Sequence, residues 1–205
     1  MSEAQWLSPL AHRVVETAGL VLSIEDRSSV GMIDLRILGD NTKALTVAGK
    51  VSGTGLPLEP RTSTASDEVT CLWFSVDQWL VTCERSRAAE LSQSLSKALE
   101  GHFASVTDVS DMRAVIRLTG ESARQTLMKC VSIDILSAAV QPGYVRRVNF
   151  GEIAAALHMV SNAPDSFDLY VFRSYASYAL DWLEEAARES AAIGTPFGPS
   201  SAPPV

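Results

Sequence analysis

The stretch that decides the fold is VTDVSDMRAVIRLTGESARQTLMKCVSID, which runs from Val106 to Asp134. Within it Ala114, Ile116 and Leu118 are apolar and alternate with other residues, and this two-residue period is typical of a strand with one face in the core. The opposite face carries Arg113, Arg117 and Thr119. The pattern therefore predicts a half-buried strand at the centre of this block.

A turn and a short helix are predicted after that strand. Gly120 ends the alternation, and Glu121 is expected in the first helical turn, where unpaired backbone N–H groups favour a carboxylate. Apolar residues then recur at helical spacing. They are Ala123, Leu127, Cys130 and Val131. The block thus reads as strand, turn and helix.

A weaker copy of this block lies earlier in the chain. IDLRILGDN at Ile33–Asn41 aligns without a gap with AVIRLTGES at Ala114–Ser122. Each copy is followed by an aromatic-rich apolar strand region and a longer amphipathic helix. These are CLWFSVDQWLV with Arg87–Glu100, and DLYVF with Ser174–Glu189. The repeat predicts an α+β fold of pseudo-duplicated strand-helix-strand-strand-helix halves. We expect an N-terminal half at 1–102, a C-terminal half at 103–192 and a flexible tail at 193–205.

Other segments give local expectations. Trp6–Ala18 is predicted to form a short helix or an arm, and Gly49–Glu68, rich in Gly, Ser, Thr and Pro, a long surface loop. Three alanines in Ile153–Val160 favour a helix, but the short distance between breakers favours a strand, which is the structure we predict. Asp168–Phe172 has apolar residues at both parities, which indicates a strand buried on both faces.

Composition limits the class of protein. The chain has 205 residues, 46% of them apolar, which is enough for a substantial core. A net charge of −7 with dispersed basic residues argues against binding nucleic acid or an anionic membrane. The first residues lack the basic and apolar regions of a signal peptide, and no stretch is long enough for a membrane span, so the expected location is cytoplasmic.

Residue types that carry chemistry are scattered. Cys71, Cys83 and Cys130 are widely spaced, which argues against a disulfide framework or a structural zinc site. His12, His102 and His158 likewise lack metal-ligand spacing. Asp108 and Asp111 could form a carboxylate pair for acid–base work, but in the sequence DVSD beside Arg113 they fit turn and salt-bridge roles better.

Two familiar catalytic motifs are absent from the sequence. GKVSGTG at Gly49–Gly55 matches neither glycine-rich phosphate-binding pattern, and the residues after it do not begin a helix. The serines lack the G-x-S-x-G elbow of α/β-hydrolases. We therefore predict no catalytic, cofactor-binding or metal-binding residue in this chain.

Five blocks, in order, resemble the gamma subunit family of heterotetrameric sarcosine oxidase. They are SPLA at Ser8–Ala11, GLPLEP at Gly55–Pro60, LWFSVDQWLV at Leu72–Val81, VTDVSDMRAVIRLTGESA at Val106–Ala123 and RSYASYALDWL at Arg173–Leu183. The central block is also similar to the folate-binding domain of glycine-cleavage aminomethyltransferase. The third block departs from the family, because Ser75–Gln78 replaces the usual Gly-Pro-Asp-Glu turn.

The resemblance implies a role and a set of partners. In that family the alpha subunit holds NAD and a folate-binding domain, the beta subunit holds FAD and covalent FMN, and the delta subunit holds zinc. The gamma subunit holds none of these. By this resemblance the chain is a non-catalytic subunit of an oxidoreductase complex that oxidatively demethylates sarcosine to glycine and passes a one-carbon unit to tetrahydrofolate.

Two other functions stay open at the level of sequence. The chain could be a stand-alone tetrahydrofolate-binding or one-carbon-transfer protein, since the fold permits a pteridine cavity. It could also be the equivalent subunit of an N-methylglutamate dehydrogenase. If the chain is a subunit, part of its surface must be apolar and exposed to water when its partners are absent. We predict that this partner interface includes Trp6 on the N-terminal arm and Tyr178 on the last helix.

Overall fold

A computed structural model describes residues 6–13, 22–38 and 41–193. The described elements are ten strands and four α-helices. The strands are β1 Leu22–Asp26, β2 Val30–Ile37, β3 Ser63–Ala65, β4 Val69–Ser75, β5 Gln78–Glu84, β6 Ala104–Asp108, β7 Arg113–Gly120, β8 Val145–Phe150, β9 Ile153–Asn162 and β10 Asp165–Phe172. The helices are α1 Thr42–Ser52, α2 Ala88–Ala98, α3 Ala123–Met128 and α4 Ala176–Ile193.

The decisive block folds largely as its pattern predicts. Ala114, Ile116 and Leu118 on β7 are completely buried on the face that meets the helices. The predicted turn is also present, but α3 begins at Ala123 with Ser122 as its N-cap, so Glu121 lies before the helix and not in its first turn. The helix is also shorter than its apolar pattern suggests, because it ends at Met128.

The strands form two antiparallel five-stranded sheets. The first sheet has the order β1-β7-β10-β9-β8 and the second sheet the order β3-β4-β5-β2-β6. Each sheet has one edge strand that comes from the other repeat. In the first sheet this strand is β1, which pairs with β7, and in the second sheet it is β6, which pairs with β2. The two repeats therefore exchange their opening strands. The exchange joins the two repeats by hydrogen bonds within each sheet.

The element order confirms the α+β fold with a duplicated core. Each repeat has two strands, a helix, three strands and a helix, so β2, α1, β5 and α2 correspond to β7, α3, β10 and α4. The predicted strand-helix-strand-strand-helix pattern omits the opening strand of each half and one of the three strands between its helices. The division into two domains at residue 102 stays a prediction. The exchanged strands β1 and β6 each pair with a strand on the other side of that division. Of the predicted tail at 193–205, Ile193 ends α4 and the rest lies outside the described residues.

Side chains are buried in three layers. One core lies between the first sheet and helices α3 and α4, and a second lies between the second sheet and helices α1 and α2. A third, thinner core lies between the two sheets. It includes Met32, Leu72, Leu80, Val115 and Tyr170. The molecule is therefore a four-layer sandwich of helices, sheet, sheet and helices.

The remaining local predictions have mixed outcomes. Ile153–Asn162 is a strand, as predicted, and β10 is buried on both faces. The predicted loop at Gly49–Glu68 is wrong at both ends of its range, because α1 continues to Ser52 and β3 occupies Ser63–Ala65. Of the predicted N-terminal segment, residues 6–13 form an arm with a turn, while 14–18 lie outside the described residues.

We expect that Gly31→Ala lowers the free energy of unfolding by about 2 kcal/mol, because it overpacks a close contact. A Cβ at Gly31 on β2 would lie 2.7 Å from the Cβ of Ala88 at the start of α2. Ala88→Gly in the same chain should recover part of the loss. Gly55→Ala is the control, because no atom lies within 4 Å of its added Cβ. Urea unfolding of the full chain measures all three, and equal stability of Gly31→Ala and Gly55→Ala would contradict the expectation.

Candidate functional site

The outward face of α4 carries a partly apolar groove of about 650 Å³, which we call the α4 groove. It is lined by Lys129, Tyr178, Asp181, Trp182, Glu185 and Ala186. Tyr178 and Trp182 are one helical turn apart, so their rings meet, with centroids 5.7 Å apart and planes tilted by 41°. Trp182 is 42% exposed. A large aromatic side chain left in water on a helix is typical of a protein-binding surface.

Tyr178 packs against the turn between β8 and β9. A Cβ on Gly151, which has a φ of 53°, would lie 2.7 Å from the Tyr178 hydroxyl. That hydroxyl is buried and has no hydrogen-bond partner among the described residues. Two carboxylates, Asp181 and Glu185, stand exposed beside the rings. Both are paired within the chain, Asp181 with Arg13 and Glu185 with Arg188. The groove thus combines an aromatic floor with a rim of ion-paired side chains.

The N-terminal arm lies against the folded body and is fixed by polar contacts. Arg13 forms ion pairs with Asp181 at 2.5 Å and with Glu184 at 3.2 Å, which joins the arm to α4. The Trp6 ring lies under the Arg85 guanidinium, 4.5 Å from its centroid, and this is a cation–π contact within the chain. Trp6 and Tyr178 are each half-buried. Their assignment to a partner interface stays a prediction.

A second candidate site is a cleft of about 380 Å³ between the two sheets, which we call the inter-sheet cleft. Its floor includes an ion pair between Arg117 on β7 and Asp168 on β10, which lie directly opposite each other. Both contacts are 2.7 Å, from Nε to Oδ1 and from Nη2 to Oδ2, so the pair is bidentate. Asp168 is only 6% exposed. The hydrogen bond to this carboxylate is the main cause of a raised Arg117 pKa.

His158 on β9 lies beside Asp168 in the same cleft. Its Nε2 is 3.1 Å from the Ser63 hydroxyl, and Ser63 donates its proton to the Gly143 carbonyl. The hydroxyl must therefore accept from His158, which places the ring proton on Nε2. The His158 pKa is lowered to about 4, mainly because the ring is buried. The Asp168 charge raises this pKa and the Arg117 charge lowers it. At neutral pH this ring is uncharged.

The cleft is of a size that small molecules occupy, but most of its polar groups already bind each other. Arg117 is paired with Asp168, and the His158 ring donates to Ser63. Tyr170 is buried and its pKa is raised, first by burial and then by the Asp168 charge. The arrangement serves as a polar core between the sheets.

The cysteines are thiols at neutral pH. Burial raises the pKa of Cys71 and of Cys130 to about 12, and it also raises the pKa of Cys83. Since the thiolate is the nucleophile, these environments suppress reactivity. All three side chains pack in the two cores beneath the helices.

The residues that the sequence offered for chemistry do not converge. Asp108 accepts hydrogen bonds from Ser110, while Asp111 pairs with Arg85 at 2.5 Å, so the two carboxylates have turn and salt-bridge roles. The salt-bridge partner is Arg85 and not the neighbouring Arg113. Within residues 6–13, 22–38 and 41–193, no three His, Cys, Asp or Glu side chains are grouped as metal ligands.

The glycine-rich segment after Gly49 is the end of a helix. Gly53 has a left-handed φ of 75° and caps α1 at its C-terminus. The carbonyl groups at that end repel anions, which is the opposite of what a phosphate site needs. Sequence reasoning did not single out Arg117, Asp168 or Trp182 as site residues. Among the described helices, none has the length and apolar character required to cross a membrane.

The fold and the surfaces define the class of protein. The chain superposes on glycine cleavage system aminomethyltransferase T of Bartonella henselae with a TM-score of 0.63 at 13% identity, covering 85% of this chain and 51% of that one. It spans about half the length of that enzyme. The predicted likeness to the aminomethyltransferase fold is confirmed.

The chain belongs to the sarcosine oxidase, gamma subunit family, whose sequence model matches residues 39–189. A chain of the heterotetrameric sarcosine oxidase from Corynebacterium sp. U-96, solved in complex with pyrrole 2-carboxylate, has a TM-score of 0.83 at 21% identity. The match covers 92% of this chain and 98% of that one. No curated protein sequence matches the chain.

Proposed function

We propose that this chain is the non-catalytic gamma subunit of a heterotetrameric sarcosine oxidase and supports assembly of the complex. The observation that carries the proposal is the family match over residues 39–189. The α4 groove supports it, because an exposed Trp182 beside Tyr178 is costly to leave in water and is covered when a partner binds. The suppressed reactivity of the cysteines is consistent with a structural role.

In this proposal the partners are the alpha, beta and delta subunits. They would hold FAD, FMN, NAD, zinc and tetrahydrofolate, with none of these in the gamma subunit. The assembled oxidoreductase would act in the cytoplasm and convert sarcosine to glycine. The chain would brace the folate-domain side of the alpha subunit.

The α4 groove has the features of an energetic centre in an interface. Trp and Tyr contribute most of the binding energy at many interfaces, particularly where the surrounding rim excludes water. Here Asp181 and Glu185, paired with Arg13 and Arg188, provide a polar rim. Such a surface complements an apolar side chain on the partner.

We expect Trp182→Ala to reduce recovery of the gamma subunit with affinity-tagged alpha subunit by about 30-fold, the effect of removing one interface anchor. Leu58→Ala is the matched control, since Leu58 is an exposed apolar residue outside the groove. Co-expression of all four subunits and quantification of each recovered chain provide the measurement. Equal recovery of both variants would contradict this placement. A complex that assembles and oxidises sarcosine normally without the chain would contradict the proposed function.

A second candidate function is tetrahydrofolate binding by this chain alone, which the inter-sheet cleft favours. The cleft of about 380 Å³ lies within the range of ligand sites and contains Arg117 and His158. Titration of the isolated chain with tetrahydrofolate separates the candidates. Binding near micromolar would support this alternative, and absence of binding would support the assembly role. Activity of the native assembly on sarcosine and on N-methylglutamate distinguishes the two possible complexes.

A further inference from the structure

Arg113 at the start of β7 has an unusual environment for a charged side chain. Its guanidinium carbon lies 4.5 Å from the ring centroid of Phe172 on β10 and 5.6 Å from that of Phe74 on β4. It is therefore held by one aromatic ring from each sheet. Contacts of this kind position a guanidinium and remove water from its faces, while its edges stay available for hydrogen bonds.

Those edges have no acceptor in the described part of the chain. Nε is buried without a hydrogen-bond partner, and none of residues 6–13, 22–38 or 41–193 forms an ion pair or side-chain hydrogen bond with this guanidinium. The carboxylate that acts on its pKa is that of Asp34, which accepts a hydrogen bond from Gln78 at 2.8 Å. A partly buried cation without an acceptor is costly.

A second guanidinium increases the local positive charge. Burial is the main cause of a lowered Arg113 pKa, and repulsion from Arg147 on β8 lowers the pKa further. Asp34 opposes both effects. Arg147 is exposed. This end of the sandwich therefore presents two cations, one of them partly buried, although the chain as a whole is acidic.

The end of the second sheet beyond Phe74 presents three large apolar side chains to water. Leu38 is 52% exposed, Val76 is 87% exposed and Phe103 is 75% exposed. The chain holds their segments together, since Leu38 N–H donates to the Phe103 carbonyl at 3.0 Å and Ile37 N–H donates to the Asp77 carbonyl at 3.1 Å. Val76 is two residues from Phe74, the ring that contacts Arg113.

We propose that this end of the sandwich docks an acidic segment of a partner subunit, with Arg113 receiving a carboxylate and with Leu38, Val76 and Phe103 covered by apolar residues beside it. The inference rests on the proposed function as a subunit. Because Arg113 is positively charged, the partner group that binds it is negatively charged, and a guanidinium edge binds a carboxylate in bidentate geometry. Because the two aromatic rings already hold the Arg113 guanidinium in place, little side-chain freedom is lost when a carboxylate binds it.

The test measures affinity between the purified full chain and the complex of the other three subunits, for the wild type and for Arg113→Met, Arg113→Lys and Phe103→Ala. Methionine keeps an apolar stem between the rings and removes the charge. We expect affinity to fall about 30-fold for Arg113→Met and less for Arg113→Lys, which keeps the charge without the planar fork. The salt dependence of binding should also be weaker in Arg113→Met.

The stability of the isolated variants distinguishes an interface role from a structural one. Removing an unpaired, partly buried charge should leave the urea midpoint of Arg113→Met unchanged or higher. A lower midpoint with unchanged affinity would overturn the inference and assign Arg113 to the core. Loss of affinity in Trp182→Ala but not in Arg113→Met would also overturn it while leaving the proposed function intact. Failure of the wild-type chain to bind the other subunits would contradict the proposed function itself.

Discussion

The Asp168→Ala variant of the full chain should unfold with a free energy about 4 kcal/mol below that of the wild type, the cost of breaking a buried pair by removing one partner. The Asp168 carboxylate is almost inaccessible and accepts both hydrogen bonds from Arg117. Its removal leaves the guanidinium between the sheets without an acceptor. His158, which lies opposite Asp168 on β9, cannot replace the lost anion, because a histidine ring is either neutral or positively charged.

Two controls separate the effect of the pair from a general effect of substitution. Glu185→Ala removes the carboxylate of an ion pair with Arg188 on the surface of α4, so it should cost less than about 1 kcal/mol. Replacing both members, as in Arg117→Met with Asp168→Leu, leaves no uncompensated charge and should recover most of the stability. Urea unfolding followed by circular dichroism measures each variant. A loss below 1 kcal/mol in Asp168→Ala would mean that solvent reaches the guanidinium.

The strands around this pair were largely predictable because their patterns are local. Alternation in β7 and apolar residues at both parities in β10 follow from which faces are covered. In β9 the three alanines favour a helix, yet the segment is a strand, because it pairs with β8 on one side and β10 on the other and buries Ala155 against the helices and Ala156 between the sheets. Packing thus outweighed a propensity of a few tenths of a kcal/mol per residue.

The exchange of opening strands could not be predicted in the same way. The pattern of β1 indicates a half-buried strand but does not identify its partner β7, which follows almost a hundred residues later. The strand with which β1 pairs depends on which sheet edge is free once the two cores have formed. The same applies to β6, which follows α2 and returns to pair with β2. Sequence patterns define faces, whereas strand order is a property of the assembled layers.

The inter-sheet cleft escaped sequence reasoning although a signal for it existed. A strand buried on both faces that contains an aspartate requires a partner for that charge. The alternation in β7 places Arg117 on the face opposite to the helices, and Asp168 lies beside it on the neighbouring strand β10. The pair could therefore have been proposed once β7 and β10 were paired. Tyr178, which lines the α4 groove, is among the predicted interface residues, whereas the more exposed Trp182 is not, because helical spacing does not distinguish a covered stripe from its exposed margin.

Acidification should destabilise the chain through His158. The folded-state pKa is about 4, against an ordinary value of 6.5, because the ring is buried. Between these values the unfolded chain binds a proton that the folded chain does not bind, so the free energy of unfolding falls as the pH falls from 6.5 towards 4. Above pH 6.5 the contribution is constant, and below 4 the loss is complete. The full loss corresponds to about 3 kcal/mol.

His158→Gln isolates this contribution from that of the carboxylates that titrate in the same range. Its side-chain amide can still donate to the Ser63 hydroxyl but does not titrate, while the acidic groups are common to both proteins. We expect the wild type to lose about 3 kcal/mol more than the variant between pH 7 and pH 4, since only the wild type contains this proton-binding group. Urea unfolding at half-unit pH steps measures the difference. Parallel curves for the two proteins would mean that the histidine is protonated in the folded state, with Asp168 as its counter-ion.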